Sequence, residues 1–174
     1  RVEPGVHTSF GYFTQTSNAA DPSIKVIDFI EERGKNVVLA DGSVISAAKM
    51  LEIFLFPPGL HHTPIEKLSG GERRRLFLLQ VLMGNPNFLI LDEPTNDIDI
   101  KTLSILEDFL QKFSGCIMVV SHDRYFMDRV ADYLFILDGT GSVKSFPGNF
   151  TDYLDYAAEV RKETSRSARS GDDK

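Results

Sequence analysis

The sequence predicts an α/β protein, a parallel sheet core joined to a helical subdomain, and three observations carry that prediction. After Asn85-Pro86, short apolar runs alternate with amphipathic helical segments, the pattern of parallel strands buried on both faces. One of those runs, Phe88 to Leu91, ends on an adjacent acidic pair, Asp92-Glu93. Before it, apolar residues recur at helical spacing: Ile24, Ile27, Phe29 and Ile30, then Ile45, Ala48, Leu51 and Leu55, then Leu76, Leu79, Val81 and Leu82.

Taken in order, residues 6–14 alternate and carry aromatics, which predicts a strand ending at Gln15. The polar stretch 16–23 is a loop. Residues 22–84 form the helical subdomain, broken at Pro57, Pro58, Gly59 and Pro64 before its last helix begins at Ser69. The α/β core covers 85–160: a strand at 88–91, a helix over 99–112, a strand at 116–120, a helix over 123–130 and a strand at 133–137. Gly139 and Gly141 then turn the chain into a short strand ending near Phe146, and Tyr153 to Val160 begin a final helix. Residues 161–174 contain nothing apolar larger than alanine and are expected to be a disordered tail or linker.

With 174 residues, 42% hydrophobic and 25% charged, the chain can build one core, or one core plus a subdomain. A net charge of −6 excludes a protein that grips nucleic acid over its whole surface and leaves room for a local basic patch. The single cysteine, Cys116, excludes an internal disulfide and is expected to be a small buried residue in the run Cys-Ile-Met-Val-Val. No apolar run approaches the roughly 20 residues that span a bilayer. The N-terminus, Arg-Val-Glu-Pro-Gly-Val-His, lacks the charged-then-apolar plan of a secretory signal. It does not start with Met and reads as the interior of a longer protein.

The candidate chemistry lies in three short stretches. The strand at 88–91 delivers Asp92 and Glu93 to its carboxyl end, the edge where open α/β sheets bind ligands. Adjacent carboxylates there can divide the labour: Asp92 holds Mg²⁺ while Glu93 orients and deprotonates an attacking water. The bland alternative is a pair of acids capping the next helix. His122 ends the next strand in the same way, so it is expected beside the carboxylates, where its ring can donate to a phosphoryl group in transfer. His7, His61 and His62 have no comparable setting and are expected to be surface or structural residues. The third stretch, Leu68-Ser69-Gly70-Gly71-Glu72, is a capping box. Two glycines in its first turn weaken a helix by up to about 1 kcal/mol each relative to alanine, but they let a phosphate approach the backbone N–H groups. Ser69, Gly70 and Gly71 are therefore candidate phosphate contacts. Arg73, Arg74 and Arg75 follow and are expected to form a solvated face.

Such chemistry also needs a phosphate-cradling loop, Gly-x-x-x-x-Gly-Lys-Ser/Thr. The sequence has none: Gly34-Lys35 is followed by Asn36, and Phe29 stands where the first glycine should be.

Gln15, Leu-Ser-Gly-Gly-Glu at 68–72, Phe-Leu-Ile-Leu-Asp-Glu-Pro at 88–94 and Ser-His-Asp at 121–123 together resemble the Q-loop, signature motif, Walker B and H-loop of ABC ATPase nucleotide-binding domains. The resemblance runs from Ser9 to Asp155. Thr95-Asn96-Asp97-Ile98-Asp99, Ser-His-Asp-Arg-Tyr-Phe at 121–126 and Pro-Gly-Asn-Phe-Thr-Asp-Tyr at 147–153 are similar to the ABC-F class. Asp97 and Leu-Glu-Ile-Phe-Leu-Phe-Pro-Pro at 51–58 look most like the second domain of Uup-type proteins. The resemblance implies two domains on one polypeptide sandwiching two ATP molecules with Mg²⁺. Ser69 to Gly71 would act in trans, Asp99 would belong to the D-loop crossing between domains, and Gln15 would sense Mg²⁺ and the attacking water.

The implied function is ATP hydrolysis in the cytoplasm, with a second ABC domain and the ribosome as partners. The alternatives are the ATP-binding subunit of a membrane transporter and a DNA-associated ATPase. The family's Walker A strand and loop lie upstream of Gln15, so the chain reads as an N-terminally truncated piece, inactive by itself. By the resemblance the missing strand lies between those at 116–120 and 133–137; either those two strands close on each other or another copy fills the gap, and self-association is the expected repair.

Overall fold

A computed structural model describes residues 3–14, 21–96, 98–137, 139 and 141–170, with the side chains of 163–170 excepted. Gln15, Asp97 and the last four residues lie outside the described residues. The chain divides into two compact units, residues 1–122 and 123–174.

The first unit is built on three parallel strands, β1 (Phe10–Phe13), β4 (Phe88–Asp92) and β5 (Cys116–Val120), in the order β1-β4-β5. Phe10 lies opposite Phe88, and Phe88 opposite Cys116, so the three carboxyl ends share one edge. Asn87 fixes this register: its side-chain carbonyl accepts the Ser9 N–H at 2.9 Å and its amide donates to the His7 carbonyl at 2.7 Å. The strand expected over 6–14 is shorter, because Gly5 to Thr8 close a turn instead.

Between β1 and β4 lie α1 (Val26–Glu31), β2 (Asn36–Val38), β3 (Val44–Ser46), α2 (Ala47–Ile53), two 3-10 turns and α3 (Gly70–Met83). This stretch was expected to be helical, but β2 and β3 make an antiparallel hairpin. Asp41-Gly42 supplies its turn, with Gly42 at φ +80°, a left-handed conformation that glycine adopts without strain. Helix α2 starts where the Ser46 hydroxyl accepts the Lys49 N–H. Side chains of α2, α3 and β4 fill the core, with Met50, Leu51, Leu76, Leu79, Leu89 and Leu91 fully buried. His61 is buried too, its Nε2 bonded to the Phe56 carbonyl oxygen at 2.9 Å, a structural role.

Helix α4 (Ile100–Gln111) precedes β5, which departs from expectation. Its side chains alternate between exposed and half-buried, and Cys116 is exposed rather than buried. The physical reason is that β5 pairs with β4 alone among the described residues and has no second strand beside it.

In the second unit, α5 (Arg124–Val130) leads into the antiparallel pair β6 (Tyr133–Leu137) and β7 (Val143–Pro147) and then α6 (Phe150–Ser170). Phe126 is its buried centre. Asp128 accepts bonds from both the N–H and the hydroxyl of Thr151, and Asn149 and Asp152 cap α6 reciprocally. The Thr151 contacts hold the Asp128 carboxyl below its ordinary range, the hydroxyl bond first. Helix α6 runs ten residues past Val160, through the segment expected to be a tail. Its sequence reaches no glycine or proline until Gly171, and alanine, glutamate, lysine and arginine in that run are good helix formers.

Candidate active site

Parallel pairing of β4 with β5 determines what meets at the shared edge. Asp92 is the last residue of β4, and the Glu93 N–H extends the ladder by donating to the Val120 carbonyl at 2.8 Å. Two residues beyond Val120, His122 turns back, and its Nδ1 lies 2.8 Å from Glu93 Oε2. The Glu93 side chain is 18% exposed and that of His122 is 74% exposed. A carboxylate only accepts, so His122 Nδ1–H is the donor, which leaves Nε2 facing outward. From that orientation Nε2 can donate to a phosphoryl oxygen only when the ring is protonated, a narrower condition than the sequence implied.

Glu93 also has an uncommon backbone. Its φ is +48°, in the left-handed region where a residue other than glycine costs about 1–3 kcal/mol. Several contacts hold it there. Its carbonyl oxygen accepts from the Asn96 N–H at 3.3 Å and from Arg74 Nη2 at 3.4 Å, and Arg74 Nε donates to the Asn96 carbonyl at 2.8 Å.

The glycine-rich helix start is the second cluster. The Ser69 hydroxyl accepts the Glu72 N–H, while Glu72 Oε2 accepts the Ser69 N–H at 2.7 Å, completing the expected capping box. Glu72 Oε2 also accepts the Ser69 hydroxyl at 2.7 Å, and the bonds it receives, from the Ser69 N–H first and then from the hydroxyl, hold the Glu72 carboxyl below its ordinary range. A Cβ on Gly70 would meet nothing within 4 Å, so the backbone there is open to an approaching group. Ser69 and Gly71 line a cavity of about 300 Å³ together with Arg75, Asp99 and Thr102. Asp99 caps α4 by accepting from the Lys101 and Thr102 N–H groups at 3.1 and 3.0 Å and from the Thr102 hydroxyl at 2.7 Å. Arg75 Nη1 reaches both Asp99 Oδ2 at 3.1 Å and Thr102 Oγ1 at 3.0 Å.

Sequence patterning thus placed Glu93 with His122, and the structure adds Asp99 to the cavity of Ser69 and Gly71. Gln15 falls outside the described residues. The expectation for the arginines needs correction: Arg73 is exposed, but Arg74 and Arg75 are half-buried. Arg74 lies over the Phe13 ring at 5.0 Å and Arg75 over Phe56 at 5.0 Å. Three consecutive helical residues cannot all face water when one flank packs on the core, and that was the signal available in Arg-Arg-Arg.

Among the described residues no group of three or more metal-ligating side chains converges. The acidic pair at the strand end suits the kind of Mg²⁺ site in which one or two protein carboxylates share the ion with water and substrate phosphates.

Parallel strands that bring an acidic pair and a histidine to one edge, with a helix start opened by glycines, define the class as an α/β nucleotide-binding fold. The chain belongs to the ABC transporter family, whose model matches residues 3–96. It is 52% identical over 151 residues to the uncharacterized ABC transporter ATP-binding protein YfmR of Bacillus subtilis, covering 87% of this chain and 24% of that protein. It is 40% identical over 154 residues to the ATP-binding protein Uup of Caulobacter vibrioides, covering 88% of this chain and 25% of Uup. Over 92 residues it is 52% identical to the energy-dependent translational throttle protein EttA of Escherichia coli K12, covering 53% and 17%. The chain therefore spans about a quarter of the length of YfmR and Uup. Among solved structures, the archaeal ribosome recycling factor aABCE1, crystallised with ribosomal stalk protein aP1, superposes with a TM-score of 0.67 at 17% identity, covering 92% of this chain and 31% of that one. That likeness supports the fold. No helix of the described residues is long and apolar enough to cross a membrane.

Proposed function

We propose that the chain is part of the ATP-hydrolysing domain of a cytoplasmic ABC-F protein that works on the ribosome, and that it corresponds to the second ABC domain of a Uup-type polypeptide. The observation that carries this is the Glu93–His122 contact of 2.8 Å beside Asp92, at the carboxyl edge of parallel strands. In this reading Glu93 is the general base, His122 stabilises the transferring phosphoryl group, and Asp92 holds Mg²⁺ with Gln15. Ser69, Gly70 and Gly71 offer N–H and hydroxyl groups to the phosphate held by a second ABC domain, and Asp99 keeps the D-loop against them. Bound Mg²⁺ would supply charge neutralisation on the phosphates.

Residues 22–84 are taken as the helical subdomain and 85–160 as the catalytic core. The lysine-bearing phosphate loop is not among these 174 residues, so the chain alone is expected to be inactive.

The names of the relatives support the translational role, EttA most directly. The test is sedimentation of the full-length polypeptide carrying Glu93→Gln with purified 70S ribosomes, with and without ATP. ATP-dependent co-sedimentation is expected. Fractionation with membranes instead would favour a transporter subunit, and salt-sensitive binding to branched DNA in place of ribosomes would favour a DNA-associated ATPase.

A further inference from the structure

Arg74 spans two elements of the site. Its Nε donates to the Asn96 carbonyl at 2.8 Å and its Nη2 to the Glu93 carbonyl at 3.4 Å. Those carbonyls bracket the turn on which Glu93 sits at φ +48°, with its side chain on His122. The guanidinium is itself fixed from behind, 5.0 Å from the centre of the Phe13 ring. Phe13 closes β1 and is buried, so the clamp stands on the sheet rather than on a mobile surface. At its other end Arg74 belongs to α3, four residues after Gly70.

We propose that Arg74 is a positioning residue: it holds the Glu93–Asn96 turn so that the Glu93 carboxylate stays against His122, and it thereby ties the base to the helix that starts at Ser69. The proposal rests on the reading of Glu93 as the catalytic base. A planar guanidinium can address two carbonyls from two nitrogens at once. A lysine has one nitrogen and cannot occupy both places. Arg74→Lys keeps the charge and much of the stem over Phe13 but loses the fork, so it separates positioning from packing.

The test uses this chain first. The His122 Cε1–Hε1 signal is followed by NMR at one fixed pH without nucleotide, with Glu93→Ala marking its position when the contact is lost. Arg74→Ala and Arg74→Lys are expected to move that signal at least half way towards the Glu93→Ala position, while Arg73→Ala leaves it at the wild-type position. If Arg74→Ala fails to fold, Arg74→Lys decides alone. A signal that moves less than half way in the folded variants overturns the proposal.

In the full-length protein, Arg74→Lys should lower kcat at least fivefold with KM for ATP changed less than twofold. A smaller fall, or a matching rise in KM, overturns it as well. Failure of the underlying reading is distinguishable: it would appear as full turnover in Glu93→Gln, whatever the His122 signal does.

Discussion

Asp99 is where the cap of α4 and the buried end of Arg75 meet, so its removal should cost more than an exposed aspartate usually does. Replacing it with alanine deletes acceptors for two N–H groups and one hydroxyl. Loss of an N-cap costs about 1 kcal/mol. Alanine also strips Arg75 of its carboxylate partner. The Arg75 side chain is only 12% exposed, and its Nε has no hydrogen-bond partner among the described residues. A hydrogen bond to a charged group contributes about 1.5–3 kcal/mol. Asp99 is itself 53% exposed, so solvent screening puts its value at the low end of that range. The sum is about 2–3 kcal/mol, a fall in Tm of roughly 5–10 °C for a chain of this size.

Asn in place of Asp99 keeps the cap and should lose about half as much. The assay is far-UV circular dichroism melting at pH 7 and low salt. A Tm for Asp99→Ala within 2 °C of wild type, or an Asp99→Asn variant as damaged as Asp99→Ala, would rule out this double role for Asp99. The pH dependence has a definite sign. Thr102, through its hydroxyl and then its N–H, and Arg75 to a smaller extent, hold the Asp99 carboxyl below its ordinary value of 3.8. A depressed folded pKa means that the stabilisation is complete above 3.8 and is lost as pH falls through the lower folded value. The gap between wild type and Asp99→Asn should therefore be constant near neutrality and close only below pH 4.

Other consequences can be checked separately. Gly115→Ala should lower Tm by several degrees, since its Cβ would sit 2.4 Å from the Asn87 carbonyl oxygen and 2.6 Å from the Phe113 ring, an overpacking cost of about 1–3 kcal/mol; Gly59→Ala, with nothing within 4 Å, should be neutral. Light scattering at micromolar concentration should report dimers or larger species, because among the described residues β5 pairs on one side only and Phe135, Leu137 and Val143 are exposed on the second unit's hairpin; a strictly monomeric chain would contradict this. Calorimetric titration of the chain with Mg-ATP should show no site tighter than about 1 mM, near −4 kcal/mol, and micromolar binding would contradict the dependence on a lysine-bearing loop.

The α/β half of the fold was legible because its strands are continuous apolar runs with polar residues at their ends: Asp92 closes β4, Glu93 follows it, and His122, two residues past β5, meets Glu93 as expected. The capping box at Ser69 and Glu72 was legible for a similar reason, since it depends on residues three apart. What escaped were features decided by tertiary contacts or overlooked turn chemistry. The β2–β3 hairpin is hidden from apolar periodicity, although Asp41-Gly42 marks its turn, because isoleucine and valine at short intervals fit either period. The apolar neighbours of Cys116 point to a core, but burial of a strand depends on what lies beside it, and Cys116 is exposed. Arg74 and Arg75 look like surface charge in a basic run, and only the packing of α3 on β1 shows which two face inward.

The proposed function stands or falls with Glu93, bonded to His122, acting as the base in ATP hydrolysis. The measurement that tests it most directly is steady-state ATP turnover, with nucleotide binding measured in parallel, for the full-length polypeptide carrying Glu93→Gln. Turnover is expected to fall close to zero with ATP affinity retained, because the substitution removes the base and leaves Asp92 and the phosphate contacts in place. A fall in turnover of less than about tenfold, equivalent to about 1.4 kcal/mol of barrier, would contradict it.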